Sequence, residues 1–416
     1  MMLVRGCKAF RYRIYPTPEQ EVRLLQWESA LRWLWNLALE QRRMGLARPR
    51  DERIFRTAFD QINELTELRA QAPWLNDVPR NVCTQLLIEL DKAWQRCFKR
   101  LSRAPRWKRR GRDFLGLTEP HPKVWRLEGT KLRFPKLGNL RAVIHRPLEG
   151  TPKSVTLRRE GDQWFASIAC EIERADPAPR SEPVVAIDRG ITQLLADSNG
   201  ILTPNPRHLQ RALKRLAHAQ RVVCRRRKGS KKREKAKIRV MRLNRKVRRQ
   251  REHVLHELSA AYAKSHGTVV VEKLNVAGMI RGRLSLTIAD AGWSRFAEML
   301  RYKLAWSGGT LVEVAPAYSS QTCSKCGSVD AASRAAERFC CTACGHLDHA
   351  DLNAAKVLYS RANRSALPVE ASAQASLRSG KVEKKLRVPR RSSSQSSVPH
   401  GSASLSATIP SPRLAL

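Results

Sequence analysis

Three carboxylates stand in three distinct local settings, and two cysteine knuckles lie just before the last of them. Asp188 ends the apolar run Val184-Val185-Ala186-Ile187, Glu272 ends Val269-Val270-Val271, and Asp351 opens the helical stretch Asp351–Leu358. An unpaired carboxylate is costly to bury, so an apolar strand that stops at an acid implies that the charge is needed. Three acids in one pocket are tolerable around divalent cations. Their hard oxygens suit Mg²⁺, which takes one or two carboxylates and keeps its waters for substrate. Two such ions roughly 3.5–4 Å apart would activate an attacking water and stabilise the leaving oxygen of a phosphodiester. Taken singly each acid is ordinary, since Asp at a strand end is often a turn residue. The signal is the order of the three settings.

The cysteines carry a more specific signal. Cys323-Ser324-Lys325-Cys326-Gly327 and Cys341-Thr342-Ala343-Cys344-Gly345 are paired knuckles with 14 residues between them. Four thiolates so spaced predict a closed structural Zn²⁺ site of ribbon type. Cys340 competes with Cys341 for one ligand place, and the two-residue spacing favours Cys341. His346 and His349 are expected to support the ribbon or lie on the surface. Cys7, Cys83, Cys97, Cys170 and Cys224 are isolated and read as packing residues.

The elements that must position these groups follow from periodicity. Lys8–Tyr15 alternates apolar and basic side chains as a half-buried strand does, and Thr17-Pro18-Glu19-Gln20 reads as a capped helix start. The following helix carries Leu24, Trp27, Leu31, Leu34, Trp35 and Ala38, and a later one Leu86, Leu87, Leu90, Trp94 and Phe98. Residues 124–174 read as β, with a hairpin turning at Glu160-Gly161-Asp162. Three short strands are expected from 184 to 203, then a helical hairpin broken near Lys228-Gly229-Ser230 with Leu216, Ala217, Leu255 and Leu258 inward. A strand, a helix over Ala289–Trp306, a strand, the cysteine module and a final helix complete the series. Three meandering strands followed by helix, strand, helix, strand and helix is the order of an RNase H-like fold, which would bring the three acids together.

Lys and Arg number 79 against 37 Asp and Glu, a formal net charge of +42 over 416 residues. The excess runs through most of the chain, so a polyanion is the expected partner and nucleic acid the first candidate. Arg225, Arg226, Arg227, Lys231, Lys232, Arg233, Arg245, Arg248, Arg249 and Arg251 lack nearby acids in sequence and read as phosphate contacts. In the basic segment around Trp107 the ring either stacks a base or turns into the core. The first residues show no secretion signal, no apolar run approaches membrane-spanning length, and the thiols read as reduced, so a cytoplasmic, nucleoid-associated protein is expected.

In this order the residues resemble the TnpB (OrfB) family of insertion-sequence proteins, RuvC-type nucleases related to compact type V CRISPR effectors. The matching pieces are Phe10-Arg11-Tyr12-Arg13-Ile14-Tyr15-Pro16-Thr17-Pro18-Glu19-Gln20, Pro105-Arg106-Trp107-Lys108, Ile187-Asp188-Arg189-Gly190 and Val271-Glu272-Lys273-Leu274-Asn275. Trp293-Ser294-Arg295-Phe296, Leu300-Arg301-Tyr302-Lys303, the run from Tyr318 to Gly327 and Asp351-Leu352-Asn353-Ala354-Ala355 complete them. The resemblance implies that Asp188, Glu272 and Asp351 are the three RuvC acids. The family commonly reads Asp-Arg-Asp before Asn-Ala-Ala, where this chain has His349-Ala350-Asp351; Asp348 is the competing acid, out of register.

The implied fold class is α/β: an RNase H-like (RuvC) nuclease domain with an inserted zinc ribbon, preceded by helical and β-barrel-like nucleic-acid-binding parts. The expected divisions are 1–20 (strand and helix start), 21–120 (helical recognition part), 121–180 (wedge-like β part), 181–315 (nuclease, first part), 316–348 (ribbon), 349–365 (final helix) and 366–416 (disordered tail). The implied partners are a guide RNA from the transposon end and a double- and single-stranded DNA target, with no membrane. The implied cofactors are structural Zn²⁺ and catalytic Mg²⁺. Two other readings of the same residues are a transposase or recombinase acting on transposon ends, and a catalytically dead regulator that keeps only binding.

Overall fold

Alternation of buried and exposed side chains sets the first strand, β1 (Leu3–Tyr15), with Phe10, Tyr12 and Ile14 inward. This computed structural model describes residues 3–366 except 112, 114 and 283; the tail expected over 366–416 falls, past Ala366, outside the described residues. After β1, Thr17 and Gln20 form a reciprocal capping box that starts α1 (Pro18–Ala47), followed by α2 (Ala58–Gln71) and α3 (Arg80–Phe98). Next come β2 (Leu117–Glu119), β3 (Arg126–Glu128), β4 (Lys131–Phe134), β5 (Gly138–Val143), β6 (Thr151–Glu160) and β7 (Gln163–Ala175). These strands form one antiparallel sheet in the order β2-β6-β7-β1-β5-β4-β3, so the first strand of the chain is its centre. The sheet and helices α1–α3 share one hydrophobic core, which includes Trp27, Leu31, Leu87, Phe134 and Ile168. Phe98 departs from its expected inward place: it is 56 % exposed, because the helix ends there and Trp94 closes the core beneath it.

The second half holds β8 (Val184–Asp188), β9 (Gln193–Asp197), β10 (Leu202–Pro204), α4 (His208–Arg225), α5 (Lys231–Ser265) and β11 (Thr268–Glu272). It continues with α6 (Val276–Met279), α7 (Ser285–Ala291), α8 (Trp293–Ser307) and β12 (Thr310–Val314). The helix expected over Ala289–Trp306 is therefore two helices. Gly292 sits between them at φ +69°, a left-handed conformation that glycine adopts without penalty. Ala217, expected inward on α4, is exposed, and Ala219 takes the buried place.

The five strands lie in the order β10-β9-β8-β11-β12, with β8–β9 and β9–β10 antiparallel and β8–β11 and β11–β12 parallel. Side chains alternate across this sheet. Val185, Ile187, Val269 and Val271 pack on one face with residues of α5, α7 and α8. Ala186 and Val270 pack on the other with Leu358 and Ala362 of α9 (Ala350–Ala366). Between β12 and α9 lies a small sheet of β13 (Arg334–Ala335), β14 (Arg338–Cys340) and β15 (Leu347–His349).

A buried hydrogen bond ties α5 to the β9 turn: Tyr262 Oη donates to Asp197 Oδ2 at 2.9 Å, while Asp197 Oδ1 accepts from the amides of Asn199 and Ile201. Burial and the Asp197 charge push the Tyr262 hydroxyl up. Tyr262→Phe removes one donor from a buried carboxylate, and thermal unfolding should show a loss of about 1.5–3 kcal/mol. No helix among the described residues is long and apolar enough to cross a membrane.

Candidate functional site

The strand parity that buries Ala186 and Val270 beneath α9 carries the next residues of the same phase, Asp188 and Glu272, to the same face. β8 and β11 run parallel with Ile187 opposite Val271, so the two acids end neighbouring strands side by side. Asp351 lies in the first turn of α9, which covers that face. Gly190 permits the close approach: a Cβ there would come within 2.6 Å of the Gln193 carbonyl oxygen and 3.5 Å of Asp351 Oδ2.

All three acids line one cleft of about 780 Å³, together with Arg189, Trp293 and Arg334. Each is buried, at 9 %, 7 % and 8 % relative exposure for Asp188, Glu272 and Asp351. Burial, then the charge of Glu272 and a hydrogen bond shared with it, then the charge of Asp351, push the Asp188 carboxyl well above the usual range; Arg334 offsets part of this. A buried acid held among like charges is a place that favours a divalent cation.

Two arginines border the acids, Arg189 and Arg334, and neither has a role legible in the sequence. Arg189 is buried, donates to the carbonyls of Glu272 and Trp293, and stands 4.0 Å from the Glu272 carboxylate. It fastens the end of β11 to the start of α8. Arg334 reaches from β13 to Asp351 Oδ1 at 3.0 Å with its side chain 32 % exposed. No sequence signal marks Arg334, because its partner is chosen by how the ribbon packs on α9.

The four knuckle cysteines meet as a cluster whose sulfurs all lie within 4.8 Å of one another. The Cys323–Cys344 and Cys326–Cys341 sulfurs are 3.7 and 3.6 Å apart. A tetrahedron with metal–sulfur bonds of about 2.3 Å has edges of about 3.8 Å, so the cluster already has the dimensions of a Cys₄ metal site. The amides of Cys344 and Ala343 hold the Cys341 thiol down at about 6, toward the thiolate that a metal binds, while the neighbouring sulfurs push Cys344 up to about 12. Cys340 lies on β14, exposed and outside the cluster.

Asn353 couples the two centres. Its Oδ1 accepts from the Ser324 amide at 2.9 Å and its Nδ2 donates to the Thr322 carbonyl at 2.7 Å, so a fully buried side chain two residues past Asp351 grips the first knuckle. His349 Nδ1 accepts from the Asp351 amide, and Asp348 pairs with Lys356 and His346.

Other expectations need correction. Arg245 and Arg248 are not free cations: Arg242 and Arg245 bind Asp162, and Arg248 and Arg11 bind Glu160, which lowers the pKa of both acids. Arg251 pairs with Asp290. Arg225, Arg226, Arg227, Lys231 and Lys232 remain exposed. Trp107 does not enter the core: it is 37 % exposed beside Arg43, while its segment is strapped to α1 through Trp35 and Asn36. Cys83 and Cys170 are buried as expected, but Cys7 and Cys224 are exposed.

A family model described as "Probable transposase" (OrfB_IS605) matches residues 167–283, and a "Cas12f1-like, TNB domain" model matches 293–358. A Streptomyces pristinaespiralis protein named "Putative RNA-guided DNA endonuclease" is 35 % identical over 366 residues, covering 85 % of this chain and 89 % of its own. The chain belongs to the TnpB (OrfB) family. A second TnpB-like relative, the Escherichia coli protein of the same name with the suffix InsQ, is 29 % identical over 370 residues, covering 85 % of this chain and 92 % of its own. Among solved structures, the Cas12f1 chain of a cryo-EM complex with sgRNA and target DNA superposes with a TM-score of 0.55 at 13 % identity, covering 86 % of this chain and 98 % of that one. At that identity the likeness is one of fold. A model described as a helix-turn-helix domain matches residues 2–48, where this TnpB-family chain has β1 and the single 30-residue helix α1.

Proposed function

We propose that this TnpB-family protein is an RNA-guided, Mg²⁺-dependent DNA endonuclease of RuvC type, with Asp188, Glu272 and Asp351 as its metal-binding catalytic acids. The observation that carries this is the meeting of three buried carboxylates at an open cleft, one of them pushed strongly toward its neutral form by the other two and by burial. The strand order β10-β9-β8-β11-β12, with the two acids on its parallel central pair, supports an RNase H-like fold for this half. The names of the relatives support the RNA guide and the DNA substrate.

The carboxylate oxygens fit hard divalent cations, which when bound would activate water and stabilise the leaving oxygen. The chain itself holds the acids in place: Arg189 pins the end of β11, and Asn353 fixes α9 to the ribbon. The four cysteines fit structural Zn²⁺. In this reading the guide RNA comes from the end of the transposable element and the protein works in the cytoplasm, on the nucleoid.

The test is to purify the protein with its RNA, sequence that RNA, and supply DNA carrying a complementary site with Mg²⁺. Cutting only at that site, and only with the RNA, is expected. Cutting independent of RNA would end the guided part, and strand joining at transposon ends would favour the transposase reading. Arg334 presents its remaining donors to the cleft beside Asp351, where a scissile phosphate would lie. Arg334→Ala should slow cleavage by roughly 10²–10³-fold with zinc content unchanged, as loss of one preorganised donor does; an unaltered single-turnover rate would remove it from the chemistry.

A further inference from the structure

A second cavity lies at the far edge of the seven-stranded sheet, and its lining is basic. It measures about 480 Å³ and is lined by Lys123, Arg126, Arg133 and Lys136 with Phe134 and Pro135; no acid lines it. Arg126 on β3 stands directly opposite Arg133 on β4 in the antiparallel register. Like charges so placed destabilise a strand pair. Among the described residues Lys123, Arg126 and Arg133 make no ion pair and no hydrogen bond through their side chains. Lys136 gives one of its three donors to the Asn76 carbonyl at 2.5 Å, while Arg23 grips the Lys136 carbonyl. That wall is therefore fixed to the helical part, and among the described residues four cations without an acid partner line one opening.

We infer that this cavity is a phosphate-binding site for the nucleic-acid backbone, in which Arg126 and Arg133 clamp phosphodiester oxygens with Lys123 beside them. The inference rests on the nucleic-acid reading above and deepens it by naming a contact on the edge strand β3 and its neighbour β4, apart from the cleft of the three acids. Guanidinium forks match phosphate oxygens, and an anion between Arg126 and Arg133 turns their mutual repulsion into attraction. The repulsion in the free protein is thus the signature of the site.

The test uses the full chain freed of nucleic acid and the double variant Arg126→Gln with Arg133→Gln. Affinity is measured against salt for a structured RNA, a duplex DNA and a single-stranded DNA. Where the pocket holds the backbone, the slope of log K on log salt should lessen by about 0.9 per lost contact on duplex and about 0.7 on single strand. The ligand that shows the drop identifies the source. The free variant should melt slightly higher than the unaltered protein, since the opposed charges are gone, and Arg126→Lys with Arg133→Lys should keep the salt slope. If the unaltered protein binds nucleic acid and cuts while the Gln variant keeps its slope on all three ligands, the pocket assignment is overturned and the nuclease reading stands. If the unaltered protein binds none of the three, the reading beneath it fails as well.

Discussion

Asp188→Ala should reduce DNA cutting by roughly 10³-fold or more while leaving nucleic-acid affinity within about twofold. Metal-assisted transition-state stabilisation is worth several kcal/mol, and each 1.4 kcal/mol is tenfold in rate. Binding is expected to survive, because Asp188 is buried and the substitution leaves the exposed cations, Arg225, Arg226 and Arg227 among them, untouched. The same site gives an effect of opposite sign on stability. In the absence of divalent metal, Asp188→Asn should raise the melting temperature, since burial and the charges of Glu272 and Asp351 disfavour the ionised Asp188 side chain. Mg²⁺ should then stabilise the unaltered protein more than the Asn variant. A variant that cuts at the normal rate would remove Asp188 from the site, and one that loses affinity as well would point to a binding role.

Cys341→Ser should be as damaging to cleavage through a different route. With four cysteine sulfurs already spaced as the edges of a metal tetrahedron, one substitution should lower zinc from one ion per chain to nearly none by elemental analysis. Structural zinc contributes on the order of 10 kcal/mol to small ribbon-like modules, so the knuckles would lose their shape. Asn353 would then lose both partners, Ser324 and Thr322, and Arg334 its position on Asp351. The start of α9 carries one of the three acids, so the cleft should come apart although no carboxylate has changed. Cys340→Ser is the control and should keep both zinc and activity, because Cys340 lies outside the cluster. Full zinc content in the Cys341 variant, or normal cutting without zinc, would contradict this coupling.

Much of the fold was legible locally. The Thr17 capping box, the β1 alternation, the hairpin at Glu160-Gly161-Asp162 and the break between α4 and α5 stand where the periodicity put them. The errors fell where an element's end or its partner decides burial. Phe98 and Ala217 have the phase of buried residues, yet both are exposed, Phe98 touching only the rings of Trp94 and Phe55 at the rim of the core; Gly292 splits a helix that hydropathy reads as continuous. The arginines of α5 look unopposed in sequence, yet Glu160 and Asp162 of the β6–β7 turn lie against them in space.

The sequence by itself determined which groups are available: acids closing two apolar runs, an acid opening a helix, four knuckle cysteines and a large cationic excess. It also determined that Asp188 shares a face with Ala186 and Glu272 with Val270, since side chains alternate along a strand. Only the tertiary structure decided that β8 and β11 are parallel neighbours, that α9 covers the face of their acids, and that Arg334 and Asn353 reach from the ribbon and the helix into the same region. The physical reason is range. Side-chain phase is written in neighbouring residues, whereas the partner of a charge is set by which distant surfaces exclude water together.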